Sequence, residues 1–187
     1  MSLQIQIDDQ ATTALRNLLL QVSGRRGHAI LGQAVRVLVR DHLRQKESQP
    51  NKQGWPKTHF YSRARERTTF EATEDSATVT IALEGFRQRY HGGRIAPVNR
   101  RALTIPAAPE AYGKVAGEFG GSLEFRPLFR GQLVGLLVGA AGSALDGKVL
   151  YRLVKSVNQA ADPSVLPTNA EMLAAAQRAL EKAVANS

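Results

Sequence analysis

Residues 86–106 read FRQRYHGGRIAPVNRRALTIP, and no single regular element accommodates them. The stretch holds five arginines (Arg87, Arg89, Arg94, Arg100, Arg101), a Gly-Gly pair and two prolines, and no acidic residue. Phe86, Tyr90, Ile95, Val98, Leu103 and Ile105 break the basic run with apolar side chains. It is too apolar for a tail, and its Gly and Pro content forbids one continuous helix. The reading is a long basic arm, a loop with extended pieces that leaves one strand and enters another. Connections of this length in a compact chain usually carry function.

On both sides of this arm the apolar residues alternate with period two. Upstream, Phe70–Thr73 and Ala77–Leu83 flank a turn at Glu74-Asp75-Ser76, with Val79, Ile81 and Leu83 on one face. Downstream, a short helix is expected around Glu110–Phe119. Strands follow from Leu123 and Phe125, over Gln132–Gly139, and over Lys148–Gln159, where Val149, Tyr151, Leu153 and Val157 share a face. Asp146-Gly147 is a hairpin signal, because a type I′ turn needs positive φ at both central positions. It predicts that the last two strands pair, across a turn widened by the irregular 140–145 segment.

Farther out, the period becomes helical. Leu3, Ile5 and Ile7 form a short strand; Asp8 or Asp9 caps a helix bearing Leu15, Leu18, Leu19 and Val22, which Gly24 ends. Arg25, Arg26 and Gly27 link it to a second helix, His28–Lys46, with Arg36, Arg40 and Arg44 as a basic stripe and His42 at the boundary of the apolar face. After a polar loop at 47–54, Trp55 is expected to anchor that loop on the core. Thr58 caps a short helix to about Arg67, with Phe60 and Ala64 inward. Thr168 and Glu171 form a T-x-x-E capping box, opening a final helix with Leu173, Ala176, Leu180 and Val184 inward.

Helical periods at the ends and strand periods between them predict an α+β fold. Its mostly antiparallel sheet is covered by N-terminal helices and a C-terminal helix, with the long basic arm projecting. The chain reads as a single domain over 1–187. Within it lie a strand and two helices (1–47), a loop (48–56), a sheet region (57–166) with the arm at 86–106, and the terminal helix (167–187).

The 187 residues, 43% hydrophobic, suffice for one real core. Twenty-five Lys and Arg against 16 Asp and Glu give a net charge of +9, which points to a polyanionic neighbour such as nucleic acid. No cysteine is present, so disulfides and thiolate metal sites are excluded. Met1–Ile7 lacks a basic start and an apolar core, so no signal peptide is expected. The longest apolar run, Leu133–Leu145, is shorter than the roughly 20 residues of a membrane-spanning helix. The expectation is a soluble protein without membrane association.

No catalytic constellation emerges. His28, His42, His59 and His91 are scattered, no two at the i, i+4 spacing of a helical metal site. Neither a nucleophile elbow nor a P-loop is present. His91-Gly92-Gly93-Arg94 has the composition of a phosphate-holding turn, but Gly-Gly beside Arg is as common in purely structural turns. The chain is therefore expected to be no enzyme, with no catalytic residue, cofactor or metal.

Three pieces in a fixed order carry a resemblance: GWPKTHFYSRA, then TVTIALEGFRQRYHGG with RIAPVNRRALTIPA, then VLYRLVKSVNQAADPSVLP before a terminal helix. From Gly54 to about Leu166 the chain resembles the virion-morphogenesis proteins of Mu-like and other tailed phages, which include tail-completion, neck and head–tail joining proteins. It departs from commoner members at Lys57-Thr58-His59-Phe60-Tyr61, where they carry a TG-L-x-x-S segment. The resemblance implies a structural subunit of a homo-oligomeric ring, a hexamer, at the head–tail junction or tail top, as a neck, tail-completion or tail-terminator protein. Its implied partners are its own copies, neighbouring neck, connector or tail-tube proteins, and genomic DNA held without sequence preference in the lumen. Its implied location is the virion, after assembly in the host cytoplasm. Arg87, Arg89, Arg94, Arg100 and Arg101 would then face DNA or a partner, while Phe86, Tyr90, Ile95 and Val98 would dock the arm on a neighbouring subunit.

A second reading comes from residues 3–46. Strand–helix–helix is the outline of a ribbon-helix-helix DNA-binding regulator, with Gln4 and Gln6 as outward base readers. No basic residue precedes Arg16, which counts against a specific ribbon.

Overall fold

The computed structural model describes residues 23–51 and 53–185. The strand at 3–7 and the helix before Gly24, and with them the ribbon and base readers of the regulator reading, lie outside the described residues. The fold is α+β, with antiparallel sheets between helices at the two ends of the described chain. It divides into two compact units, each assembled from segments distant in sequence. One comprises 23–45, Ser62–Leu83 and 166–185; the other comprises Lys46–Tyr61 and Glu84–Val165.

The first unit is built on helix α1, Gly24–Ser48. It starts earlier than its periodicity suggests: Arg25, Arg26 and Gly27, expected as a link, are helical, and Gly24 precedes them with φ +65°. The Arg25 amide donates to the Glu74 carboxylate at 3.2 Å, which occupies one donor of the open first turn. Val39 and Leu43 are fully buried. Gly32 is required by a close approach: a Cβ there would sit 2.8 Å from the Phe70 ring and 3.0 Å from the Ala77 methyl. Those residues belong to strands β1 (Thr68–Ala72) and β2 (Ala77–Ile81), the antiparallel hairpin expected around Glu74-Asp75-Ser76. Arg36 of the basic stripe donates through Nε to the Thr68 carbonyl at 3.2 Å, so it braces the hairpin. Between the helix and the hairpin the chain makes α2, Phe60–Glu66, with Ala64 fully buried as expected. The helix α4, Asn169–Ala185, begins on the T-x-x-E box: the Glu171 amide donates to Thr168 Oγ1 at 3.2 Å, and the Thr168 amide donates to the Glu171 carboxylate at 2.8 Å. Its expected inward stripe is corrected at its ends: Leu173 is 61% exposed and Val184 38% exposed, while Ala176 and Leu180 are half-buried, and Ala175 and Ala179 line a groove shared with α1.

The second unit is built on a four-stranded antiparallel sheet in the order β4–β7–β6–β5: β4 Leu103–Pro106, β5 Leu123–Arg130, β6 Leu133–Gly139 and β7 Val149–Val154. β6 and β7 pair across the 140–148 connection, as expected, but not through a type I′ turn at Asp146-Gly147: Gly147 has φ +70°, whereas Asp146 does not have a positive φ. The stretch expected as one strand from Lys148 to Gln159 breaks at 155–156, and its end, β8 (Val157–Gln159), pairs with β3 (Gly93–Ile95) instead. The helix expected over Glu110–Phe119 is two short 3₁₀ turns, Pro109–Ala111 and Ala116–Phe119, as its glycines allow. These turns cover the sheet. Ala108, Ala111, Leu150 and Tyr151 form a buried cluster, flanked by Phe119, Leu123 and Leu137. The Tyr151 hydroxyl donates to the Lys114 carbonyl at 3.0 Å, which satisfies its polar end. Burying Leu150 contributes about 2 kcal/mol. Trp55 packs edge-on against Tyr112 at 5.4 Å and so anchors its loop, whose backbone is tied by Asn51 Oδ1 accepting from the Trp55 amide at 2.9 Å.

Candidate functional site

The 86–106 segment is not one long arm. It opens with helix α3, Phe86–His91, then passes through Gly92 into β3, leaves the two-stranded β3–β8 ladder over residues 96–102, and enters the four-stranded sheet as β4. Its pairing explains the shape. Ile95 faces Val157 and Leu103 faces Val154, so 96–102 on one side of the ladder answer 155–156 on the other. The surplus chain cannot remain in the sheet and must bulge out of it.

That bulge is what survives of the arm. Val98 at its tip is 92% exposed, an apolar side chain wholly in solvent, and Arg100 and Arg101 beside it are exposed. Arg94 is exposed on β3 opposite Asn158, and Arg87 is exposed on α3. Lys155, across the ladder from the loop, adds another exposed cation.

The remaining arm residues are structural. Phe86 is buried and stacks parallel on Phe60 at 6.1 Å. This corrects its expected place on a docking face: as the first residue of an amphipathic helix it is drawn into its own core. Arg89 is likewise withdrawn from any open basic face. Its guanidinium lies 5.4 Å from the Phe60 ring centroid and 5.1 Å from that of Tyr61, and its Nε is buried. Burial pushes the Tyr61 phenol above its usual range, and the Arg89 charge works against that shift. The Arg89 carbonyl accepts from the Asp162 amide at 3.1 Å. Asp162 is held below the usual carboxylate range, first by the Ser164 hydroxyl at 2.5 Å and then by the charges of Lys46 and Arg89. Tyr90 and Ile95 are half-buried, Tyr90 edge-on to His91 at 4.9 Å and Ile95 in the ladder.

The Gly-Gly pair is a turn. Gly92 has φ +67°, and a Cβ there would lie 2.5 Å from the Ala161 nitrogen and 2.6 Å from the Gln159 carbonyl oxygen. Its amide donates to the Gln88 carbonyl at 2.8 Å, and the Gln88 side-chain amide donates back to the Gly92 carbonyl at 2.9 Å. The Gly92 amide is therefore engaged within the turn.

A second cationic feature escaped the sequence reading. By register, Ile105, Arg152, Leu136 and Arg126 form one row across the four strands. Arg152 and Arg126 are exposed on either side of Leu136. The edge strand β5, LEFRPLFR, also exposes Phe125, Leu128, Phe129 and Arg130. The signal was present as Phe and Arg in alternation, but a strand with both faces open reads like any other period-two stretch.

Among the described residues, no group of His, Asp or Glu is placed to hold a metal, and no helix is long and apolar enough to cross a membrane. The arrangement offers cations and apolar tips to a partner. No family model, curated protein or solved structure matches the chain.

Proposed function

We propose that the protein is a structural subunit of a tailed-phage particle. In this reading it forms a homo-oligomeric ring, a hexamer, at the head–tail junction or tail top, through which DNA passes without being read. The observation that carries the reading is the 96–102 bulge. The bulge holds a valine 92% exposed at the tip of a loop flanked by two exposed arginines. A subunit that must reach a neighbour gains from that arrangement, because the apolar tip buries on contact while the arginines meet acidic side chains or phosphates. The net charge of +9 and the exposed Arg94, Arg126 and Arg152 suit a wall that faces a polyanion. Phosphate contacts alone position a duplex and carry no sequence preference, as a conduit requires.

The test is assembly. Val98→Asp combined with Arg100→Ser and Arg101→Ser, introduced into the phage genome that encodes the chain, should leave the subunit folded and block particle completion. Heads and tails should accumulate unjoined in electron micrographs. Normal yields of infectious particles from that variant would refute the role.

A further inference from the structure

The outer edge of the four-stranded sheet carries exposed aromatic side chains that the ring reading does not use. Among the described residues β5 pairs only with β6, and its run Phe125–Arg130 is exposed throughout. Phe125 is 53% exposed, Leu128 46% and Phe129 78%, interleaved with exposed Arg126 and Arg130. Such aromatic area in water is unfavourable unless a partner covers it.

The geometry narrows the partner. An open edge ordinarily invites another strand, but here Pro127 lacks the amide that a new ladder needs, and the register shifts between Pro127 and Arg130. A second copy laid against this edge would also bring Arg126 and Arg130 near their own equivalents, a like-charge contact. The occupant is therefore anionic and needs no backbone ladder. Phe125 supplies the next constraint. A Cβ at Gly135 would lie 2.3 Å from Phe125 Cε2 and 2.8 Å from its Cζ, so the ring rests across the glycine of β6. It is supported on one side by the sheet and open on the other. By register Phe125 shares the face of Leu137 and Arg126 that of Leu136, so a chain that follows this edge meets a supported ring on one face and a guanidinium group on the other, the π-faces and cations that unpaired bases and their phosphates require.

We propose that the β5 edge binds single-stranded nucleic acid, with Phe125 and Phe129 as stacking platforms and Arg126 and Arg130 as phosphate contacts. This proposal stands apart from the ring reading, since duplex DNA in a lumen offers no unstacked bases.

The test uses the full chain and a fluorescein-labelled oligo-dT of about 20 nucleotides, a mixed-sequence duplex of the same length, and vesicles of phosphatidylglycerol and phosphatidylcholine. Anisotropy should show the single strand bound more tightly than the duplex. Phe129→Leu keeps the apolar area and removes the π-face; its side chain is mostly solvated, so the fold should tolerate the change. It should weaken oligo-dT binding roughly tenfold and leave duplex binding unchanged. Arg126→Gln with Arg130→Gln should flatten the salt dependence of oligo-dT binding. Equal affinity for single strand and duplex would overturn the proposal, as would Phe129→Leu binding oligo-dT like the parent. Vesicle binding that depends on Phe129, without oligo-dT binding, would assign the edge to a membrane surface and overturn it equally.

Discussion

The guanidinium of Arg89 lies over the ring of Tyr61, 5.1 Å from its centroid. An arginine from the basic 86–106 stretch is thus half-buried against the aromatic side chains of its unit. Its Nε is buried without a hydrogen-bond partner, so the aromatic faces of Phe60 and Tyr61 are what offset its desolvation. Arg89→Ala should destabilise the protein by about 1–3 kcal/mol in urea unfolding. Arg87→Ser and Arg94→Ser, both at exposed positions, should each change stability by under about 0.5 kcal/mol. Equal effects from all three would show that Arg89 is not packed as described. Any test of the basic surface must therefore leave Arg89 in place.

The same residues show how far the sequence could be read. Alternation in Ala77–Leu83, the apolar strand over Gln132–Gly139 and the Thr168–Glu171 box were legible because each is a local rule with a local cause. The split of Lys148–Gln159 was not, because it is imposed by β3 and β4 arriving from far upstream, with a surplus loop between them. Nor does periodicity reveal that the described chain divides into two units, each assembled from segments distant in sequence. At the candidate site, Val98, Arg100 and Arg101 were legible as a projecting basic segment. Phe86 and Arg89 were misjudged because six residues of helix, Phe86–His91, give too short a pattern to separate an inner from an outer face.

Gly92 is the residue on which the turn into β3 depends. Gly92→Ala combines a positive φ with a methyl 2.5 Å from the Ala161 nitrogen and should cost about 3 kcal/mol or more. Gly93→Ala, whose Cβ would meet nothing closer than 3.7 Å, should cost less despite its φ of +111°. Thermal unfolding of the two variants checks the order.

The cap of α4 makes stability depend on acid. Glu171 is held below the usual carboxylate range, first by the Thr168 amide and then by the Thr168 hydroxyl. A depressed folded value means that the contribution is present above the unfolded carboxylate range and is lost as pH falls through the folded value. The stability difference between wild type and Glu171→Gln should therefore be present at neutral pH and close in acid. Thr168→Ala, which removes the cap hydroxyl, should cost about 1 kcal/mol at neutral pH. A difference between wild type and Glu171→Gln that stays constant down to acid pH would contradict the assignment.

Binding to free duplex DNA should be weak, indifferent to sequence and steeply salt-dependent, since each neutralised phosphate releases counterions. Replacing Arg94, Arg100 and Arg101 with Ser should lower the slope of log K against log salt by roughly one for each phosphate that is no longer neutralised. A discrete site preferred about a thousandfold, with that preference abolished in Gln4→Ala and Gln6→Ala together, would favour the regulator reading instead.

The central claim is that this chain closes into a ring through its 96–102 bulge. Its most direct test is the native mass of the purified protein at high concentration, with and without duplex DNA, measured beside Val98→Asp. The account predicts a discrete closed species near six times the 20.3 kDa chain mass, absent in Val98→Asp while the monomer stays folded. A 20.3 kDa monomer under every condition, or a multimer indifferent to Val98→Asp, would contradict it.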